Sequence, residues 1–600
     1  MTQRTFFGRK PISLLCSLLL LGACGTGYFY VYQANSQLKP VLPPLAAERN
    51  LQQWLEQLPE QLMTRESLYH LGLVTDIYRR TNFKLLWLEN YQLNQAGEQL
   101  LQQLRETSAD ELIDYHYHLA YLQQRLHQLP ARPKDATAID ILITDAFITY
   151  AEDVLSDRLL PDTLALINKQ ARPTNHQAVS LNKDNPNQDF DAHDKHHIIV
   201  SLITENNNRY AMQTMLAGMA PRHKAYAKLR TALHSYQQIA ASNRWQPIDN
   251  NNTLKPGQRN PQVAQLRNLL SLYGDYPLPK EGGLFNWFSN KPEPDDVQDQ
   301  ELFDQELAAG LRHFQTRHGY PANGIVDKHT RQLLNTPPID RIKQIAFNMK
   351  RWRQLPENLG ERYIWVNLTD YHLDVIDHDR SIMAMKVIVG KKSRRTPVMF
   401  ENINSLVINP QWNVPRRIMV RDILPKVKDD PTYLSQRNIR IINGWQEQLE
   451  VPLEQIDLNA APLSRFPYRL QQDPGEDNAL GVIKFVIPND DSIYLHDTNN
   501  RSLFAEHNRA LSSGCVRVEK PLELAELLLK GKRGWNDKKI NSVIETGNTT
   551  YVKLPEAIPT YLVYWTAWVD DNEQIQFRDD IYREDGILES NKNELESLIL

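Results

Sequence analysis

Hydrophobic periodicity changes along this chain, and that change dictates more of the architecture than any other feature. Between about residues 47 and 241 apolar residues recur three and four positions apart. Leu51, Trp54, Leu55, Leu58 and Leu62 do so, as do Ile139, Ile141, Leu142, Ala146, Phe147 and Ala151. That spacing lines one side of a helix, so residues 47–245 are expected to form an all-helical scaffold. From residue 362 short β-rich runs take over, at 363–368, 372–376, 385–389, 482–487, 492–496, 551–554 and 561–568. Strands at such spacing predict a mainly β sandwich or barrel over 362–587. One core cannot serve 600 residues, because single cores stop growing at about 250–300 residues. The chain is therefore expected to be a multi-domain α+β protein. Residues 425–475 interrupt the strands with charged, proline-containing sequence. That is too long for a connector and has the length of a lid, a capping subdomain.

The only long apolar run lies at the extreme N-terminus, which excludes a polytopic membrane protein. Arg4, Arg9 and Lys10 precede the apolar stretch from Ile12 to Leu21, so residues 1–33 read as a targeting segment. Leu21-Gly22-Ala23-Cys24 resembles a lipobox, with the lipid attached to Cys24. The run to Tyr32 is also long enough for an uncleaved anchor, and a plainly cleaved signal is the third reading. Each delivers the rest of the chain outside the cytoplasm. With Cys16 and Cys24 in that segment, Cys515 is the one cysteine left in the exported part. A lone thiol in an oxidising compartment is either an inert buried group or a nucleophile. A net charge of −4 gives no footprint for general nucleic-acid binding.

Between the two textures lies a smaller unit, 254–336. It opens with Leu254-Lys255-Pro256-Gly257 and an amphipathic run through Val263, Leu266, Leu269 and Leu270. It closes with FQTRHGYPANGIVDKHTRQLLN at 314–335, where Gly319 and Gly324 permit a tight turn. A connecting helix is expected over 337–361, and 588–600 reads as a tail. His193, His196 and His197 share a polar stretch without a second ligand cluster, so no metal site is expected there.

Two segments carry chemistry. In Ile493-Tyr494-Leu495-His496-Asp497-Thr498, alternation puts Tyr494 and His496 on one face. In Ser512-Ser513-Gly514-Cys515-Val516-Arg517-Val518, Cys515 and Arg517 lie opposite Val516 and Val518. A thiol is mostly protonated at neutral pH, and an imidazole partner takes its proton. Arg517 adds a fixed positive charge, and backbone donors near Gly514 and Cys515 suit an oxyanion. Cys515 and His496 are 19 residues apart, close enough for adjacent strands to join them. A helix is expected after Pro521, with Leu522, Ala525, Leu528 and Leu529 on its packed side.

The string YLHDTNNRSLFAEHNRALSSGCVRVEKPLELAELLL, residues 494–529, closely resembles the signature of the L,D-transpeptidases, a histidine joined to Ser-x-Gly-Cys-x-Arg. The resemblance extends from Tyr363 through NPQWNVP at 409–415 and PGEDNALGVIKFVIPN at 474–489 to about Asp585. The 254–336 unit resembles the three-helix peptidoglycan-binding module of many wall enzymes, apart from a loop inserted at 278–300; a plain helical spacer is the alternative. Together these features resemble the large multi-domain L,D-transpeptidases of Gram-negative periplasms.

The resemblance implies a β-sandwich catalytic core capped by 425–475. It implies Cys515 as nucleophile, His496 as base and Arg517 as the supporting arginine. Ser513 and Gly514 then form the turn and oxyanion site, and Tyr494 and Trp412 line the donor pocket. It implies a thioester with a tetrapeptide donor stem, a 3→3 cross-link, no metal or organic cofactor, and acylation by carbapenems. Expected partners are peptidoglycan stems and glycan, with other wall-synthesis enzymes as candidates, no nucleic acid, and a membrane met only through the N-terminal segment. A periplasmic protein acting in wall biogenesis and cell shape is implied. The acceptor stays open: water gives an L,D-carboxypeptidase, and a protein lysine gives lipoprotein attachment. A non-catalytic wall-binding scaffold is the alternative from another class. Asp497 stands where many shorter members carry glycine, which leaves the group orienting His496 open.

Overall fold

In the computed structural model the described residues run from Leu51 to Asp585, with gaps, the longest at 156–198, 205–220 and 278–299. The targeting segment, Cys24, the three clustered histidines, most of the inserted 278–300 loop and the tail lie outside them.

The first body is helical, built from α1 (Leu71–Arg80), α2 (Gln95–Arg105), α3 (Leu119–Leu126) and α4 (Pro133–Leu155). Helix α4 is buried all round from Ala136 to Ala151, with Asp140, Thr144 and Asp145 among the buried residues, the pattern of a central helix. The scaffold is not helical throughout. Gln61–Leu62 pairs with Glu66–Ser67 and Leu88–Glu89 with Gln92–Leu93, so Leu62 closes a short ladder instead of extending the first helix.

Helix α5 (Lys224–Ala241) has a different core. Tyr226, Leu229, Leu233 and Tyr236 pack with Ile342, Ile345 and Met349 of α9 (Pro338–Arg353) and with Val569, Ile575 and Phe577 of a C-terminal hairpin. Between them α6 (Pro261–Leu272), α7 (Gln305–Arg317) and α8 (Lys328–Leu334) form the small unit, each capped by a side chain: Asn260, Asp304 and Asp327. Buried Gln315 ties its turns together, donating to Asn323, Ile325 and Thr330 and accepting from the Gly324 N–H.

The β region starts with β1 (Arg362–Asn367), β2 (His372–Asp377), β3 (Arg380–Gly390) and β4 (Met399–Ile408). A four-stranded insertion follows: β5 (Trp412–Asn413), β6 (Ile439–Asn443), β7 (Leu449–Glu450) and β8 (Arg469–Gln472). The main sheet resumes with β9 (Ile483–Val486), β10 (Leu495–His496), β11 (Ala510–Ser512), β12 (Val516–Val518) and β13 (Thr550–Val563). The hairpin is β14 (Ala567–Val569) with β15 (Ile575–Phe577). Nine strands run in the order β11-β3-β12-β10-β9-β4-β13-β1-β2, and β2 also pairs with β3. The expected sandwich is thus one sheet rolled shut, its walls sharing a single apolar cluster. Helices α11 (Pro521–Leu529) and α12 (Asp537–Glu545) pack onto that cluster. Leu524, not Leu522, faces it; Leu522 is 38% exposed.

The insertion has its own core of Val414, Met419, Ile423, Leu424, Val427, Ile439, Ile441 and Leu470. That core includes α10 (Leu424–Asp429) and reaches back ahead of residue 425. Trp412 belongs to its first strand, so the tryptophan expected in the donor pocket comes from the cap.

Candidate active site

Strands β10 and β12 run parallel, with Leu495 opposite Val516 and His496 opposite Arg517. Leu495, Val516 and Val518 point into the barrel and are fully buried. The alternate residues Tyr494, His496, Cys515 and Arg517 therefore share the outer face, as alternation predicts. On this face His496 and Cys515 are diagonal neighbours, a separation that side chains bridge.

The turn before Cys515 is held from within. Ser512 Oγ donates to the Cys515 carbonyl at 2.6 Å and accepts from the Gly514 N–H at 3.1 Å. Gly514 has φ 128°, a backbone that side-chain-bearing residues avoid. Its N–H is engaged, so it is not a free oxyanion donor. The Cys515 N–H has no acceptor among the described residues. Thr396 Oγ1 donates to the Gly514 carbonyl at 2.6 Å, and Arg394 donates to Ser513 Oγ at 2.9 Å. Ser513 thus meets an arginine of the 391–396 loop.

Tyr494 gathers the site. Its hydroxyl and backbone N–H both hydrogen-bond Cys515, and the Trp412 indole hydrogen-bonds the same hydroxyl. The Tyr494 and His496 rings meet edge to face with centroids 5.6 Å apart. Burial pushes the Cys515 thiol up, while Tyr494, Lys484 and Arg517 pull it back down. Cys515 is half-buried, and its sulfur lies 3.7 Å from the Ser492 carbonyl.

His496 is 5% exposed. Burial, then the Arg517 charge, push its pKa down to about 3, with backbone hydrogen bonds at Asp497 and Leu480 opposing. The imidazole is neutral at physiological pH, and its Nδ1 is buried with no hydrogen-bond partner. A neutral imidazole with an unpartnered ring nitrogen, on the same sheet face as a thiol, can take part in proton abstraction. The Asp497 carboxylate does not serve the imidazole. It accepts from the Val482 N–H at 3.1 Å and from Arg501 at 2.8 Å, and it packs where a side chain on Gly481 would sit. It fixes the strand ends flanking His496.

Lys484 is a group that the motif did not name. It lies opposite His496 across β9 and β10, with Nζ 3.9 Å from the centre of the Tyr494 ring. Burial lowers its pKa, and the neighbouring Cys515 raises it. The signal was one lysine alternating with inward Ile483 and Phe485.

Residues 361–540 match the profile of the "L,D-transpeptidase catalytic domain", 259–334 that of a "Putative peptidoglycan binding domain", and 72–233 that of a "Scaffold domain". A curated protein of Haemophilus influenzae named "Putative L,D-transpeptidase" is 41% identical over 240 residues, 40% of this chain and 47% of that protein. The matched stretch thus spans about half of that relative. A crystal structure of L,D-transpeptidase (Yku) from Stackebrandtia nassauensis aligns at 13% identity with a TM-score of 0.19, covering 53% of this chain and 96% of that one. So low a score carries no weight for the fold. The catalytic sheet and its outer face, the three-helix unit and the sequence matches converge: the chain carries an L,D-transpeptidase catalytic domain preceded by a peptidoglycan-binding domain and a scaffold domain.

Proposed function

We propose that the protein forms 3→3 peptidoglycan cross-links through a thioester on Cys515. The observation that carries this reading is the neutral, buried His496, with its unpaired Nδ1 on the same sheet face as the thiol. Nδ1 takes the thiol proton as sulfur attacks the carbonyl of the third residue of a tetrapeptide stem. The tetrahedral oxyanion is stabilised by the Cys515 N–H, with the Tyr494 hydroxyl alongside. The carbon–nitrogen bond to the terminal D-alanine breaks, and imidazolium protonates the leaving amine. A diaminopimelate side-chain amine of a second stem then attacks the thioester. It passes its proton to His496 as the thiolate leaves. Arg517 and Lys484 favour the thiolate at each step in which it forms.

Activity on the wall implies export, with an N-terminal anchor or a lipid on Cys24. The thiolate is also the group that a carbapenem would acylate. Incubating the full chain with a disaccharide-tetrapeptide tests the reading. Intact mass should give a Cys515 adduct lacking the terminal D-alanine, and digestion should give a 3→3 dimer. Product formed by Cys515→Ala would overturn the nucleophile, and hydrolysed tripeptide alone would make the protein a carboxypeptidase.

A further inference from the structure

A cavity of about 430 Å³ lies between the peptidoglycan-binding unit and the catalytic barrel, and both bodies line it. That volume falls in the range of small-ligand sites, about 300–1,000 Å³. Its chemistry is distinctive. Tyr320 stacks on His329 with centroids 4.4 Å apart, and His507 meets the Tyr320 ring edge-on at 5.7 Å. Tyr371 is also in the lining, with Arg509 over its ring at 5.2 Å. Burial and the Arg509 charge lower the His507 pKa, favouring the uncharged imidazole.

Two guanidiniums reach the cavity, yet each is already engaged. Arg509 donates to the carbonyls of Val387, Glu506 and Tyr371 at 3.2, 3.0 and 3.1 Å. Arg578 is held by the Asp370 carboxylate at 2.5 Å and by the Phe577 and Arg317 carbonyls at 2.7 and 3.2 Å. Neither offers an open fork to a phosphate or carboxylate. What remains is aromatic faces flanked by Asn508, Asp579 and imidazole edges. That combination suits an uncharged ligand with apolar faces and hydroxyl or amide rims, which is a sugar.

The cavity floor also leads to the nucleophile. His507, Asn508 and Arg509 open directly into β11 (Ala510–Ser512), and Cys515 stands six positions after Arg509. Six residues span at most about 20 Å. A ligand in the cavity therefore rests at the root of the segment that ends in the catalytic turn.

We propose that this interdomain cavity binds the glycan of peptidoglycan, stacking its saccharide rings on Tyr320 and Tyr371 while a stem is presented to Cys515. The proposal rests on the peptidoglycan reading above and adds where the sugar sits. The test measures binding of peptide-free glycan strands, released from sacculi by an amidase, to the full chain by isothermal titration. Tyr320→Ala combined with His507→Ala should weaken binding by about tenfold, the loss of a buried aromatic anchor. Tyr320→Phe, which keeps the ring and loses the hydroxyl bond to Asp327, should bind within about twofold of the wild type. Thermal unfolding of each variant checks that it is folded. Unchanged glycan affinity in the double variant overturns the cavity assignment, as does binding of free stem peptide with no binding of glycan strands. A chain that binds neither glycan strands nor intact sacculi defeats the peptidoglycan reading itself, so the two failures are distinguishable.

Discussion

Lys484 sets a cation against the Tyr494 ring, and Tyr494 holds the thiol. A positive charge there favours thiolate, so Lys484→Met should move the pH profile of Cys515 alkylation by iodoacetamide upward by about half to one pH unit. Lys484→Arg should stay near the wild type, and a methionine profile lying on the wild-type curve would remove the lysine from the site. His496 titrates the other way. Its conjugate acid falls from about 6.5 in an unfolded chain to about 3 in the fold. Between those values the unfolded chain binds a proton that the native state refuses. Its contribution is thus complete above pH ~6.5 and is lost as pH falls toward 3, by about 1.4 kcal/mol per pH unit. His496→Gln should flatten that slope in the catalytic-domain unfolding transition between pH 6 and 4; an unchanged slope would mean that the imidazole is not buried neutral. That Tyr494 shares a face with His496, and Cys515 with Arg517, was legible because strand alternation assigns faces without any tertiary knowledge. Lys484 was not, since a lysine on an outer strand face ordinarily meets water. Only its partly buried place against the Tyr494 ring, beside the Trp412 that the cap supplies, makes this one part of a site.

The loop joining β3 to β4 holds the Ser513-Gly514-Cys515 turn and the cap together. Arg394 donates to Ser513 Oγ and forms a bidentate pair with Asp422 of the insertion, while Arg417 of the insertion donates to the Ser393 carbonyl at 3.0 Å. Asp422→Ala should loosen the cap without touching Cys515. Alkylation of Cys515 by a bulky maleimide should then quicken by about threefold, and product should shift from cross-linked dimer toward hydrolysed tripeptide as water gains entry. A maleimide rate and product ratio equal to wild type would leave the cap no part in guarding the proposed thioester. None of this loop was legible as a site, because the partners of Arg394 lie 28 and 119 residues away. Strand β4 escaped for a related reason. Glu401, Asn402, Asn404 and Ser405 dilute its apolar alternation, yet Ile403, Leu406 and Ile408 are fully buried between β9 and β13. Neighbouring strands, not local propensity, make it β. In the scaffold the decisive element is a carboxylate inside a helix. Asp140 accepts from the Leu86, Trp87 and Leu88 N–H groups at 2.9, 2.8 and 3.1 Å and from the Tyr78 hydroxyl at 2.6 Å. Asp140→Ala would orphan those donors and should destabilise the scaffold by about 3 kcal/mol.

The chain reads as separate domains joined in series, but its cores are distributed otherwise. Among the described residues the scaffold cluster draws only on the range 51–203. The cluster around α5 and α9 instead takes Val563, Trp565, Ala567 and Phe577 from the C-terminal end of the catalytic domain. The peptidoglycan-binding unit is fastened to that same end. His318 lies between Phe314 and Phe577 with ring centroids 3.9 and 5.3 Å away, and His313 bonds Gln574 at 2.9 Å. Gly319 leaves room for Arg578 to cross, since a Cβ there would lie 2.4 Å from its side chain. Such contacts make the small unit part of the wall of the catalytic body, not a bead on a linker. Sequence cannot reveal this, because each half of the contact is apolar or basic and reads as ordinary core or surface by itself. The consequence is a definite pattern of cooperativity. Calorimetry of the full chain should give two transitions, one for the scaffold and one shared by the peptidoglycan-binding unit, α5, α9 and the barrel. Asp140→Ala should move only the first. Phe577→Ala removes the ring that His318, Tyr236 and Arg341 pack against, so it should move only the second, by several degrees. A third transition that answers to Phe577→Ala while the barrel stays put would mean that the peptidoglycan-binding unit folds independently. The cavity beside it would then open and close with domain motion instead of being built into one body.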